Sequence, residues 1–251
     1  MSNEQSFSGF PKEGLEFLAG LAENNNREWF EAHKGDYRAY VLEPAQGFVA
    51  TLGERLKLLS PGISYDTRTN GSGSIMRIYR DLRFSKDKTP YNPNLRVIFW
   101  EGAGKKTENP GFFFGMDAGG AGLYGGMHSF PKPLLTAYQE AVANEKLGAD
   151  LEVALASLKE PGACEIGGEQ YKRVPRGYDP DHPRADLLRY KGLHARSPKI
   201  EPATLVSPEL VEACFEYCHQ MAPLHRWLVE VSRRSRSWPV SDRSGKVGGG
   251  W

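Results

Sequence analysis

The sequence predicts an α+β protein, an antiparallel sheet of about four or more strands covered by N-terminal, middle and C-terminal helices. Three observations predict it. Apolar residues recur at helical spacing through the first 60 positions. The period shortens to that of strands and turns between residues 75 and 129. Helical spacing then returns after Pro131 and again after Pro208. Helices and strands therefore come in blocks, the pattern of an antiparallel sheet rather than of alternating β-α-β units.

Pro11 suits a first helical turn, and Leu15, Leu18 and Leu21 follow at helical spacing. Asn24, Asn25 and Asn26 stop that helix and offer a cap to the next, which begins at Arg27. Pro44 opens a third helix with Phe48, Leu52, Leu56 and Leu59 on one stripe, ended by Ser60, Pro61 and Gly62. Strands are expected over residues 75–84, 94–101, 111–116 and 122–129, with an exposed hairpin connection over 102–110 and a tighter turn over 117–120. Residues 134–158 read as helical with a break near Leu147 and Gly148, and residues 161–206 as short strands and turns. The last helix starts near Pro208, carries Val211, Cys214, Phe215, Cys218 and Met221 on one face, and is kinked or stopped by Pro223. One domain over residues 1–231 is expected, followed by a flexible tail over 232–251 rich in Ser, Arg and Gly.

A chain of 251 residues can bury roughly three-quarters of its unfolded surface. Its 39% hydrophobic and 25% charged residues exclude collagen, coiled coil and wholesale disorder. The net charge of +1 argues against a protein that coats nucleic acid. Charge alternates along the chain, however: −3 over residues 1–60, +4 over 61–110, −5 over 111–170 and +5 over 171–251. Two basic blocks can build a local positive patch. The three cysteines are too few for a disulfide framework, no basic stretch followed by an apolar run opens the chain, and no apolar run is long enough to span a bilayer. The expected address is the cytoplasm, without membrane contact.

Residues 77–91 stand out, with five basic and two acidic side chains interleaved with Tyr79, Phe84 and Tyr91. On a strand, Arg77, Tyr79, Asp81, Arg83 and Ser85 would share one face, leaving Arg80 in an apolar row with Ile78, Leu82 and Phe84. A guanidinium there needs a carboxylate partner or a polar cavity. One account is a structural ion-pair network. The other is an anion site, because arginine forks match carboxylate or phosphate oxygens and lysine adds point charge.

The spacing Arg77-x-x-Arg80-Asp81-x-Arg83-Phe84-x-x-Asp87-Lys88-x-x-Tyr91 resembles the signature of domain-of-unknown-function family 2461, conserved hypothetical proteins of bacteria and fungi. Asn25-Asn26-Arg27-x-Trp29-Phe30 and Arg173-x-Pro175-x-Gly177-Tyr178, with His182 and Pro183, resemble it too. The likeness runs from about Phe7 to Trp227, with Leu82 standing where many members carry a small polar residue. It implies no agreed activity. A signature of charged and aromatic groups points to a ligand site more than to fold maintenance.

Arg173, Arg176, Tyr178 and His182 form a second basic–aromatic cluster on a turn-rich loop, and His182 has the intrinsic pKa of an acid–base group. Loop histidines are more often bonded to backbone. Cys214 and Cys218, followed by His219 and His225, lack zinc spacing, and the face that carries Cys214 and Cys218 is a core stripe, so no metal is assigned. The glycines over 119–126 lack the context of a phosphate loop, and serve turns and close packing.

The leading expectation is a positively biased pocket for a small phosphate- or carboxylate-bearing ligand, with Arg77, Arg80, Asp81, Arg83, Lys88, Tyr91, Arg173, Tyr178 and His182 as candidate contacts. It assigns a ligand class and no reaction, cofactor or oligomeric state. The alternatives are nucleic-acid binding through residues 77–91, helped by Lys105, Lys106, Arg233, Arg234 and Arg236, and a partner-binding module in which the charged cluster is structural.

Overall fold

The structure, a computed structural model, describes residues 7–83, 85–158 and 164–237. Asparagines divide its N-terminal helices as the sequence predicts. Helix α1 (Lys12–Glu23) ends with the Asn24 N–H on the Gly20 carbonyl, and α2 (Arg27–Ala32) starts with the Asn26 side chain accepting the Trp29 N–H at 3.0 Å. A single turn, α3 (Lys34–Asp36), and a π-helical stretch (Tyr37–Leu42) lead into α4 (Glu43–Leu56), whose Phe48, Leu52 and Leu56 are fully buried.

Strands β1 (Leu95–Trp100), β2 (Gly111–Asp117) and β3 (Gly120–Met127) form the expected meander. Helices α5 (Lys132–Ala143) and α6 (Glu145–Ala156) follow, broken at Asn144, which caps α6 through the Leu147 N–H at 3.0 Å. That break precedes the expected one because asparagine is a far better cap than the leucine–glycine pair. Strands β4 (Glu165–Gly167) and β5 (Leu193–Arg196) complete an antiparallel sheet of order β1-β2-β3-β5-β4, with the single turns α7 (Ala185–Leu188) and α8 (Pro202–Leu205) beside them.

Helix α9 (Leu210–Ser237) runs through Pro223. The proline is only partly buried, and the carbonyl it leaves without an amide belongs to exposed His219, where water can satisfy it. The expected tail boundary after Val231 is therefore corrected. Ser232 is buried, Arg233 reaches the Glu101 carboxylate at 2.9 Å, and Arg234 pairs with Glu230, so helix continues to Ser237. The rest of that expected tail, residues 238–251, lies outside the described residues.

The expected strand over residues 75–84 is also corrected. Among its described residues only two isolated pairings form, Ile75 with Val97 and Tyr79 with Tyr91. After Tyr79 the chain folds back on itself, with the Arg80 N–H on the Pro90 carbonyl at 2.9 Å and the Asn92 N–H on the Ile78 carbonyl at 2.7 Å. A tight loop bearing two aspartates and three bases displaces the alternation that a strand would impose, and Phe84 lies outside the described residues.

The sheet's two faces differ. Leu95, Val97, Phe99, Phe112, Phe114, Leu123, Leu193 and Ala195 are buried on one face. There Phe48 of α4 meets Phe114 at 4.6 Å, His225 of α9 stacks on Phe112 at 4.8 Å, and Gly125 lets Met221 of α9 lie against the strand. The alternate residues Arg96, Phe113, Gly115, Gly122, Tyr124, His194 and Arg196 keep part of their surface.

Candidate functional site

Residues 70–80 run along the free edge of β1, with the Met76 N–H on the Arg96 carbonyl at 2.9 Å and the Ile98 N–H on the Ser74 carbonyl at 3.0 Å. The loop leading into this edge is held by two aspartate- or asparagine-type turns. Asp66 accepts the Arg68 N–H at 2.8 Å and Asn70 the Ser72 N–H at 3.0 Å. Gly71 has φ +84°, and a Cβ there would strike the Arg77 side chain, which crosses the loop to donate from Nε to the Asn70 carbonyl at 3.0 Å. Lys106 comes in from the β1–β2 connection and donates to the Gly71 carbonyl at 2.9 Å and to the Gly73 carbonyl. Arg96 projects from β1 and donates to the Arg77 carbonyl at 3.2 Å.

These groups border an open hollow of about 480 Å³, lined by Arg77, Arg80, Asp81, Arg96 and Lys106 among others. Its cations fall into two kinds. Arg80 is committed to its own loop, meeting the Asp87 carboxylate, the Thr89 hydroxyl and, at 3.3 Å, the Ser85 hydroxyl. The Thr89 amide and Arg80 hold the Asp87 carboxyl at about 2. Arg77, Arg96 and Lys106 form no ion pair among the described residues, and their hydrogen-bond partners are backbone carbonyls. Burial pushes the Arg96 and Lys106 pKa values down, with Asp66 opposing the fall at Lys106. Desolvation of these two cations is thus only partly compensated, and an anion is what would compensate it.

The other expected contacts have different roles. Arg83 forks onto Asp81, with Nη2 to Oδ2 at 2.6 Å, on an exposed surface. That pairing and the Arg83 amide hold the Asp81 carboxyl at about 2. Lys88 caps the Leu82 carbonyl at 3.1 Å. Tyr91 is buried and stacks on Phe30 at 4.2 Å, while the Asn25 side chain bonds to both its N–H and its carbonyl at 3.0 Å. It locks α2 to the 77–91 segment and contributes no wall to the hollow. Asn25 and Asn26 are accordingly structural, one a tie and one a cap.

Arg173, Tyr178 and His182 do not join this site. Their segment pairs beyond β5, with the Tyr171 N–H on the Arg189 carbonyl at 2.7 Å, at the opposite edge of the sheet from Arg77. His182 Nδ1 accepts the Arg184 N–H at 2.9 Å, Tyr178 packs on the core, and Arg173 is exposed. The turn-forming prolines and glycine that marked this stretch serve the β4–β5 connection.

The sequence reading missed Arg96 and the site role of Lys106. Arg96 is the lone polar residue in Leu95-Arg96-Val97-Ile98-Phe99-Trp100, and strand alternation turns it away from Leu95 and Val97. That signal was available. Nothing local brings Lys106 to residues 71–73, because the contact spans 33 positions.

Among the described residues no group of three or more His, Cys, Asp or Glu could hold a metal ion, and no helix is long and apolar enough to cross a membrane. The molecule is an α+β protein with a charged loop beside one sheet edge. It belongs to the family described as "Conserved hypothetical protein (DUF2461)", which matches residues 13–227. No curated protein matches the chain.

Proposed function

We propose that the protein binds a small phosphate- or carboxylate-bearing ligand in the hollow at the β1 edge. One observation carries this reading: Arg77, Arg96 and Lys106 border the same space and spend their donors on carbonyls rather than on carboxylates. Two forks and an ammonium can take the oxygens of one tetrahedral or planar anion, with Arg77 and Lys106 already oriented by the 70–73 loop. Arg80 and Arg83 follow the ion-pair account instead, shaping the rim of the hollow while Asp87 and Asp81 neutralise them.

The nucleic-acid alternative loses most of its helpers to pairing, since Lys105 meets Glu108, Arg233 meets Glu101 and Arg234 meets Glu230. Titration with inorganic phosphate, followed through the arginine Nε–Hε resonances by nuclear magnetic resonance, tests the proposal. The Arg77 and Arg96 signals should shift saturably, and Arg96→Ala should weaken affinity at least about tenfold, as expected for loss of a charge-assisted contact. Removing a half-buried cation that lacks a carboxylate should leave thermal unfolding unchanged or raised. Unshifted signals, or equal affinity in Arg96→Ala, would refute it.

A further inference from the structure

Arg96 borders a second, larger space. On the partly open face of the sheet it joins Asn94, Phe113, Gly115, Gly122 and Tyr124 around a hollow of about 640 Å³, within the usual size of small-molecule sites. Gly115 and Gly122 are paired directly across β2 and β3, and a Cβ on either would meet nothing within 4 Å. Neither has a positive φ, so the backbone there does not require glycine. Glycine weakens a strand interior, and two of them facing each other leave a flat floor one side chain deep. The next register row supplies an aromatic wall, Phe113 opposite Tyr124, and Arg96 is the register neighbour of Gly115 at the β1 end.

Asn94 lines the same hollow. The slot thus offers a flat floor and an aromatic wall. Two strand spacings, about 10 Å, separate Arg96 from Gly122. Beyond Arg96 lie Arg77 and Lys106. At the far end the cations are already engaged, with Arg196 over the Tyr124 ring at 5.7 Å and Lys199 on Glu201 at 3.4 Å.

We propose that the ligand is a mononucleotide, its base lying on the Gly115–Gly122 floor beside Phe113 and Tyr124 and its phosphate at Arg96, Arg77 and Lys106. This rests on the anion site proposed above and names its ligand class. A heteroaromatic base supplies a flat face matched to that floor and wall, and Arg96 joins the two hollows. A free nucleotide fits better than a strand of nucleic acid, because Asp117 also lines the slot and would repel a continuing phosphodiester.

The test compares inorganic phosphate, adenosine monophosphate and a short oligoadenylate, on the wild type and on Gly122→Val. The nucleotide should bind about 5- to 150-fold tighter than phosphate, the effect of stacking one base. Gly122→Val fills the floor with a residue suited to strands and should erase that gain while phosphate affinity persists. Phosphate affinity and circular dichroism report whether that variant is folded, and Gly115→Val provides an independent fill. If phosphate binds but the nucleotide binds no tighter, or if both fills leave its gain intact, the nucleotide assignment falls and the anion site stands. If the oligoadenylate binds tighter than the nucleotide, the ligand is a single strand and the assignment also falls. If neither phosphate nor nucleotide binds, both readings fall together.

Discussion

Arg80 places one guanidinium nitrogen on Asp87 and Thr89 and the other near Ser85, whereas Arg77, three residues earlier, reaches only the Asn70 carbonyl. The same residue type thus closes a loop in one place and borders the proposed anion site in the other. Context decides through the partners the backbone brings within reach. Glu101 shows the remaining case, a carboxylate only 5% exposed. It receives the Ser60 hydroxyl at 2.5 Å, sits 3.1 Å from His225 Nε2, and meets Arg233 at 2.9 Å. The His225 hydrogen bond leads in holding its pKa below the usual 4.5, against the opposing effect of burial. A carboxyl lowered on folding contributes stability that is fully present above 4.5 and is lost as pH falls through the depressed value. Glu101→Ala should therefore cost about 3–5 kcal/mol at neutral pH, as breaking a buried pair does, and should flatten the acid limb of the stability profile. Urea denaturation across that pH range checks it, and an unchanged limb would remove Glu101 from the account.

Among the elements, helices with a capping asparagine and a regular stripe were legible in the sequence, because both signals are local: Asn26 caps α2, and Phe48, Leu52 and Leu56 bury one face of α4. Strands β1 to β3 were legible through their short connections. The 75–84 segment was not, since its alternation of charge and apolarity is shared by a strand and by a loop that pairs Arg80 with Asp87 and Arg83 with Asp81. Of the two outcomes expected at Pro223, a kink or a stop, the stop does not occur: a proline stops an isolated helix but is carried where buried residues on either side of it, such as Met221 and Leu224, hold the helix in place. Glycine roles needed the packing as well. Gly125 and Gly122 lie three residues apart on β3 and on opposite faces, and a Cβ at Gly125 would come within 2.8 Å of Met221 Cβ. Gly125→Ala should lower stability by roughly 1–3 kcal/mol, the usual cost of overpacking, while Gly122→Ala should not. Denaturant midpoints of the two variants distinguish them, and equal midpoints would contradict the two-faced sheet.

At the scale of the molecule, the sheet separates the two basic–aromatic clusters of the chain. The 77–91 segment lies along β1 and the 173–182 segment beyond β5, with β2 and β3 between them. Both basic–aromatic clusters were visible in the chain, but sheet order is set by long-range pairing that no local pattern encodes. The candidate site was therefore partly legible: Arg77 and the loop around Arg80 from their spacing, Arg96 from strand alternation that went unused, and Lys106 only from the contact that brings it to residues 71–73. The most direct test is to soak crystals with tungstate, a heavy oxyanion of phosphate shape, and locate it by its anomalous signal. The account predicts tungstate between Arg77, Arg96 and Lys106. Tungstate bound at Arg173 and His182 instead, or an empty hollow beside an ordered Arg96, would contradict it.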